Sequence, residues 1–198
     1  MTLTFTARTG VSLIHESTVE DTLRLVRQLE LGDDLDLDIA IGVRDGHPDQ
    51  SALVDGLRGR GAVLPIDPAC SVTEAHNRAL ARMVDKGNQF AWILSHELLL
   101  EPRTLGVLTK HMRVVPDCAV VSPYVTRSDA PKRKAVDVDA GHWVGSLYRT
   151  AALERIGLFD DGDVVEGHDV GWSGRARGAG WRVMTHRKAR LTLASVHE

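Results

Sequence analysis

Two short stretches of this chain carry the residue types that cation binding and acid–base chemistry need. Ser95-His96-Glu97 interrupts an apolar run that begins at Ala91, and the segment from Asp160 to Asp169 contains six acidic or histidine residues. A carboxylate can bind a hard cation or serve as a general base. Glu97 is therefore the first candidate for such a role. An ordinary strand-to-loop turn is the alternative interpretation of the same three residues.

Histidines are a further source of metal ligands. Four of them are predicted to lie at strand ends or on the helix that faces those ends: His15, His47, His76 and His96. Imidazole nitrogens suit zinc, so a histidine-rich site is conceivable. No pair among the four has HxxxH or HxH spacing, which favours separate, unconnected roles.

The composition limits the class of protein. A chain of 198 residues with 43% hydrophobic content can bury one substantial core, and we expect a single domain over residues 1–198. A net charge of -3 without long single-sign blocks argues against nucleic-acid binding. No apolar stretch reaches the roughly 18 residues that a transmembrane helix needs. Cys70 and Cys118 lie far apart without metal-ligand spacing, which predicts a reducing, cytoplasmic setting.

The elements that must position these residues alternate between strands and helices. Five strands are predicted in the first part of the chain: Val11 to Glu16, Leu37 to Val43, Ala62 to Ile66, Ala91 to Leu94 and Ala119 to Val125. Capping-box spacing at Ser17 and Ser71 starts two of the intervening helices. Pro65 favours an edge position or an irregular end for the third strand. The alternation predicts an α/β fold, in which a mostly parallel, nucleotide-binding sheet is flanked by helices on both faces.

The second part of the chain begins with a polar segment, residues 127–140, which is predicted to be a mobile loop. A strand from His142 to Arg149 and a short helix ending at Gly157 are expected to follow. A helix over Val170 to Gly178 and two closing strands, Trp181 to Thr185 and Leu191 to Val196, complete the prediction. Ligands of open α/β sheets bind beyond the carboxyl ends of the strands, and Ser95-His96-Glu97 lies at such an end.

Three separated stretches resemble the inverting family-2 glycosyltransferases of GT-A fold and occur in that family's order. The first runs from Glu74-Ala75-His76-Asn77 through Ala91-Trp92-Ile93-Leu94 to Glu97 and Pro102. The second runs from Gly145-Ser146-Leu147 to Gly157-Leu158-Phe159-Asp160. The third is His168-Asp169-Val170-Gly171-Trp172 with Arg175, Gly180 and Trp181. Together they extend over nearly the whole chain, and their order and spacing make the resemblance specific.

The resemblance implies a GT-A-like domain that transfers a sugar from a nucleotide-diphosphate sugar to a hydroxyl-bearing acceptor with inversion. It also implies a divalent cation, Mn²⁺ or Mg²⁺, that neutralises the charge of the diphosphate leaving group. Glu97 stands at the place of the family's metal-binding aspartate, and His197 is similar to a C-terminal histidine that completes the metal site. A penultimate residue without any role is the alternative for His197.

An inverting transfer needs a general base for the acceptor hydroxyl. Asp169 occupies the second position of a Glu-Asp motif and is the first choice, with Glu166 and His168 as alternatives on the same loop. Aspartate is also a good helix N-cap, so Asp169 could instead cap the helix that begins at Val170, or do both.

The resemblance also assigns donor and acceptor residues. In the family, the turn after the second strand offers an aspartate to the nucleobase, and Arg44 stands at that place. Arginine cannot accept a hydrogen bond, so Asp45 could substitute after a shift of one residue. Arg44 could then contact phosphate or stack on the base, and a purely structural turn is the third alternative. Asn77 and Ser95 are also assigned to the donor site.

On the acceptor side, Trp143 is the best candidate for stacking on a sugar because it precedes the acceptor-like segment at Gly145. The remaining tryptophans include Trp92 and Trp181, which are better suited to the core. The short chain leaves little beyond the core fold, so a second subunit, in a homo-oligomer, could supply further acceptor-binding elements.

Ser95, His168 and Gly171 stand where the family usually has acidic residues. A rival hypothesis is therefore a degenerate, non-catalytic GT-A-like protein that binds a ligand or serves as a partner subunit. A nucleotidyltransferase is a third hypothesis, and it is weaker because no glycine-rich phosphate loop with a following lysine comes after the first strand.

Overall fold

The computed structural model describes residues 7–30, 36–57, 59, 61–101, 103–125 and 135–193. Within these ranges the chain forms six helices and nine strands. The strands are β1 (Thr9–Ile14), β2 (Leu37–Arg44), β3 (Gly61–Ile66), β4 (Phe90–Leu94), β5 (Leu98–Leu100), β6 (Cys118–Val125), β7 (Ala135–Asp137), β8 (Leu147–Arg149) and β9 (Arg182–Leu193). The helices are α1 (Val19–Glu30), α2 (Gln50–Leu57), α3 (Val72–Asp85), α4 (Thr104–Val114), α5 (Thr150–Ile156) and α6 (Val170–Gly178).

All the described strands belong to one mixed sheet in the order β3-β2-β1-β4-β8-β6-β9-β5, with β7 paired to β9. Strands β1 to β4 are mutually parallel, and β6 is parallel to β9. Strand β8 lies between β4 and β6 and is antiparallel to both. Strands β5 and β7 are antiparallel to β9. The two parallel groups therefore share one direction, and the prediction of a mostly parallel α/β sheet is confirmed.

Helices cover both faces of the sheet because neighbouring strand residues alternate between them. In β4, Trp92 and Leu94 pack on one face, in a core with Leu25 of α1, Leu53 of α2 and Leu108 of α4. Ala91 and Ile93 pack on the other face, in a core with Leu80 of α3, Leu153 of α5 and Trp172 of α6. Burial on both faces explains why the β4 sequence is a continuous apolar run.

Local signals in the sequence explain several element boundaries. The hydroxyl of Ser71 accepts a hydrogen bond from the Glu74 N–H at 3.1 Å, as its capping box predicted. At α1 the predicted cap, Ser17, was wrong by one residue: the Thr18 hydroxyl accepts from the Asp21 N–H at 3.1 Å, and the Ser17 hydroxyl donates to the Asp21 carboxylate at 3.0 Å. Strand β3, which contains Pro65, lies at one edge of the sheet. The edge prediction for this strand is confirmed.

Some predicted boundaries were wrong. Only the end of the predicted strand from His142 to Arg149 is a strand, because Gly145 has a φ of 86° and breaks the extended backbone. The two closing strands are one strand, β9, whose register shifts between Pro123 and Tyr124 of β6. Strand β5 was missed. Residues 127–134 lie outside the described residues, but residues 135–137 of the predicted loop form β7.

Candidate active site

The candidate site lies at the edge of the sheet where the parallel strands β1 to β4 end. Strand β8 runs in the opposite direction, so the segment that precedes it reaches the same edge. Gly145 ties this segment to β4, since its N–H donates to the Ile93 carbonyl and its carbonyl accepts from the Trp92 indole, both at 2.7 Å. A Cβ at Gly145 would meet the Leu191 side chain at 2.1 Å, and the φ of 86° also favours glycine there.

Asp169 is the most firmly held functional side chain at this edge. It is fully buried, and its carboxylate accepts three hydrogen bonds. Its Oδ1 atom accepts from the Gly141 N–H and from the Ser173 hydroxyl, each at 2.7 Å, and its Oδ2 atom accepts from the Tyr148 hydroxyl at 2.8 Å. Asp169 occupies the N-cap position of α6, but its side chain makes no capping hydrogen bond there. The carboxylate therefore links the Ser173 side chain of α6 to Tyr148 of β8 and to the Gly141 backbone, and does not cap the helix N–H groups.

The electrostatics of this network suit proton transfer near neutral pH. Burial raises the pKa of Asp169 to about 6, and the hydrogen bonds from Ser173, Tyr148 and Gly141 oppose that rise because they favour the charged form. Burial and the adjacent Asp169 hold the pKa of Tyr148 well above its ordinary value, so Tyr148 remains a hydrogen-bond donor. Asp169 is then mostly ionised at pH 7, and its Oδ2 atom accepts one fewer bond than Oδ1.

An ion-pair network holds the loop that leads to Asp169. The Arg175 guanidinium contacts the carboxylates of Asp163 at 2.8 Å and Asp160 at 3.0 Å, and it donates to the Leu158 carbonyl at 2.7 Å. A Cβ at Gly171 would meet the Asp163 carboxylate at 2.0 Å. This contact explains why glycine stands here in place of the acidic residue expected from the resemblance.

The two alternative bases are placed differently. Glu166 is exposed in a turn with a φ of 49°. The half-buried His168 donates through Nδ1 to the Glu166 carbonyl at 3.1 Å, and its ring lies against His142 with 4.3 Å between centroids. Of the three candidates, Asp169 alone is buried in the hydrogen-bonded network.

The predicted metal ligands form a sparser group. Glu97 is exposed, and its N–H donates to the Ser95 hydroxyl at 3.4 Å. His197 lies outside the described residues. Of the two predicted ligands, Glu97 alone thus lies in the described part of the chain, and Ser95 offers a hydroxyl instead of a second carboxylate.

The predicted donor residues are engaged with the backbone. Arg44 donates to the Pro68 carbonyl across the turn after β3. The Asp45 carboxylate accepts from the Gly46 N–H at 3.1 Å, and both Arg44 and Asp45 are exposed at the end of β2. The amide of Asn77 binds both backbone groups of Phe159, donating to its carbonyl at 2.7 Å and accepting from its N–H at 3.1 Å. Asn77 therefore fastens the loop before α6 to α3.

Trp143 is 9% exposed and packs edge-on against His76 and Phe159, so little of its ring is open for a sugar to stack on. Its indole N–H is buried without a partner among the described residues. His76, which accepts or donates a 2.8 Å hydrogen bond with Ser12, is fully buried, and burial lowers its pKa to about 3. His76 is therefore neutral at pH 7.

A cavity of about 570 Å³ opens at the opposite end of β4, beside Asn88, Phe90 and Arg149. The Arg149 guanidinium is occupied there, because it donates to the carbonyls of Cys118 and Val115 and lies over the Phe90 ring. We place the candidate site at the carboxyl edge, where the buried carboxylate lies, and not in this cavity.

Comparisons with known proteins identify the fold. No protein-family model and no curated protein matches the sequence. The mannosyltransferase PcManGT from Pyrobaculum calidifontis, solved with GDP-Man and Mn²⁺, is similar over 96% of this chain, with a TM-score of 0.75 and 14% identity. S. aureus TarS 1-349 is similar over 95% of the chain, with a TM-score of 0.68 and 12% identity. Its complex with UDP-GlcNAc gives a TM-score of 0.67 over 96% of the chain, again at 12% identity.

These likenesses show that the chain has the α/β fold of solved glycosyltransferases. The chain spans 58% to 60% of the length of these solved chains. None of the described helices is long and apolar enough to cross a membrane.

Proposed function

We propose that this chain is a GT-A-like glycosyltransferase domain that moves a sugar from a nucleotide-diphosphate sugar to an acceptor hydroxyl with inversion. The observation that carries the proposal is Asp169, a buried carboxylate with a pKa of about 6 at the carboxyl edge of the sheet. The fold likeness to PcManGT and TarS supports the same class of reaction.

The proposed chemistry needs a base whose pKa lies close to the working pH. The acceptor hydroxyl gives its proton to Oδ2 of Asp169 as its oxygen attacks the anomeric carbon from the face opposite the leaving group. The nucleoside diphosphate departs with the electrons of the broken glycosidic bond. The hydrogen bonds from Gly141 and Ser173 hold Oδ1 and so fix the orientation of the carboxylate. Asp169 is fully buried, so the proposed reaction requires that the acceptor gain access to Oδ2.

Donor and cation binding are assigned to the neighbouring strand ends. Arg44 and Asp45 would contact the nucleotide, and Ser95 would lie beside the diphosphate. Glu97 and His197 would bind Mn²⁺ or Mg²⁺, which supplies charge neutralisation for the leaving group when bound. Trp143 and Gly145 would border the acceptor. The free thiols of Cys70 and Cys118 suit the proposed cytoplasmic setting.

A thermal-shift screen of nucleoside diphosphates, each with and without Mn²⁺, tests donor binding. A ligand at 100 times its dissociation constant adds about 2.7 kcal/mol to the free energy of unfolding. We expect one nucleoside diphosphate to raise the melting temperature, and Glu97→Gln to remove the Mn²⁺-dependent part of that rise. If every nucleoside diphosphate leaves the melting temperature unchanged under both conditions, the donor assignment is wrong.

The second candidate function is a degenerate, non-catalytic GT-A-like protein that binds a ligand or a partner subunit. Two observations favour it: the full burial of Asp169, and the exposure of Glu97 without a second carboxylate among the described residues of its turn. Donor binding without any donor hydrolysis or sugar transfer, tested over a panel of acceptors, would support this candidate. Sugar transfer by the purified chain would exclude it.

A further inference from the structure

The fold brings together two histidines and an aspartate that the sequence keeps apart. His15 follows β1, while His47 and Asp49 lie in the turn between β2 and α2. One nitrogen of each imidazole and one oxygen of the carboxylate lie within 4.8 Å of one another. The His15 Nε2 atom is 3.2 Å from the Asp49 Oδ2 atom, and the His47 Nδ1 atom is 3.9 Å from the same oxygen. Three ligand atoms therefore surround one point at the end of β1.

The orientation of His15 is set by a residue on α1. The His15 side chain is fully buried, and its Nδ1 atom lies 2.8 Å from the Thr22 hydroxyl, which is also buried. The Nε2 atom lies 3.2 Å from Asp49 Oδ2, which can only accept, so the Nε2–H donates to Asp49 and Nδ1 accepts from the Thr22 hydroxyl. With a metal on Nε2, the neutral ring would carry its proton on Nδ1 and donate it to the Thr22 oxygen. Metal-binding histidines characteristically donate their other ring N–H in this way, which fixes both the tautomer and the ring orientation.

The other two ligands leave one side of the cluster open. The side chains of His47 and Asp49 are 35% and 34% exposed, and the two imidazole rings are nearly perpendicular at 88°. Two nitrogens and a carboxylate oxygen form a ligand set that Zn²⁺ and Co²⁺ accept. Three protein ligands with an exposed side match a site that keeps its fourth position for water or for another ligand.

We propose that His15, His47 and Asp49 form a binding site for a borderline transition-metal ion, Zn²⁺ by chemistry, with one coordination position open to solvent. The ion would join the end of β1 to the turn after β2, beside the strand ends of the candidate active site. Without the ion, the Asp49 N–H donates to the His47 Nδ1 atom at 3.2 Å. Because Nδ1 accepts this hydrogen bond, it carries a lone pair. The metal would bind that lone pair in place of the Asp49 N–H.

This site is independent of the cation that the proposed function assigns to Glu97 and His197. The two sites differ in ligand type, because imidazole nitrogens dominate here and the hard cations Mg²⁺ and Mn²⁺ prefer oxygen. They also come from different elements, since Glu97 follows β4. Failure of one site therefore leaves the other intact.

Isothermal titration of the metal-free chain with Zn²⁺ alone tests the proposal. We expect one equivalent to bind, and His47→Ala or Asp49→Asn to weaken binding at least about 100-fold, since loss of even an outer-shell partner typically costs 10- to 100-fold. Two variants serve as controls: His168→Ala, which replaces a half-buried histidine elsewhere on the edge, and Glu97→Gln. Both should bind Zn²⁺ as the wild type does. The wild type with Co²⁺ should show the intense visible absorption of a four-coordinate ion.

His47 and Asp49 are partly exposed, and we expect their variants to fold. Circular dichroism checks this for each variant. Thr22→Val keeps the shape of the buried side chain and removes the hydrogen-bond partner of the His15 Nδ1 atom, and we expect it to weaken Zn²⁺ binding about 10- to 100-fold. The proposal is overturned if the wild type binds no Zn²⁺, or if folded His47→Ala and Asp49→Asn variants both bind it unchanged. Binding that is lost in Glu97→Gln would also overturn it, because the ion would then occupy the other site.

Discussion

Asp169 and Glu97 are two carboxylates at the same edge of the sheet, and the fold treats them in opposite ways. Asp169 is fully buried, accepts three hydrogen bonds and has a pKa raised to about 6. Glu97 is exposed at the end of β4, in a turn whose neighbouring side chain is a serine. The proposed base is thus built into the core, whereas the proposed cation ligand is held only by its turn.

This difference separates the two parts of the proposed reaction. Asp169 can be oriented by the protein alone, because its hydrogen-bond donors come from α6, from β8 and from the segment before β8. Glu97 makes no comparable set of contacts in the described part of the chain. Burial therefore preorganises the proposed base, whereas we expect the proposed cation site to be organised by what binds there.

The largest effect that tests this difference is on stability. Asp169→Leu leaves three buried donors without an acceptor, and we expect it to lower the free energy of unfolding by about 3 to 5 kcal/mol. The matched variant Glu97→Leu, at an exposed site, should change it by less than about 0.5 kcal/mol. Urea unfolding of both variants measures the contrast. Equal losses would show that Asp169 is not held more firmly than Glu97.

A smaller effect concerns pH. The folded protein binds the Asp169 proton more tightly than the unfolded chain, whose pKa is about 3.8. The resulting stability is fully present below pH 3.8 and is lost as the pH rises through about 6. We expect the stability of the wild type relative to Asp169→Asn to fall by about 1 kcal/mol between pH 5 and pH 7. Urea unfolding across that range checks the sign, and a difference that stays constant or grows with pH would contradict it.

Much of the fold could be predicted because its signals are local. Apolar runs marked the buried strands, Ser71 marked the start of α3, and Pro65 marked an edge strand. Strand β5 was missed because three residues carry no readable period, and it exists only through its pairing with β9. The closing strands looked separate because polar residues interrupt β9, while its pairing with β6 continues beyond the register shift.

The candidate site was less predictable, because its geometry depends on contacts between distant residues. Asp169 could be singled out by motif, but the donation from Tyr148 and from Gly141 is a property of the fold. The pairing of His15 with Asp49 was missed for the same reason, since these residues lie 34 positions apart and show no ligand spacing. The predicted parallel strands offered one signal for this pairing, because their carboxyl ends meet at one edge of the sheet. His15 follows β1, and Asp49 lies in the turn after β2.

The most direct test of the central claim compares sugar transfer by the wild type and by Asp169→Asn, with the donor that the nucleoside diphosphate screen identifies. Asparagine keeps the shape of the side chain but cannot serve as a base. We expect kcat to fall about 10²- to 10⁴-fold while the dissociation constant for the donor stays unchanged. An Asp169→Asn variant that binds the donor and transfers sugar at the wild-type rate would contradict the assignment of Asp169 as the base.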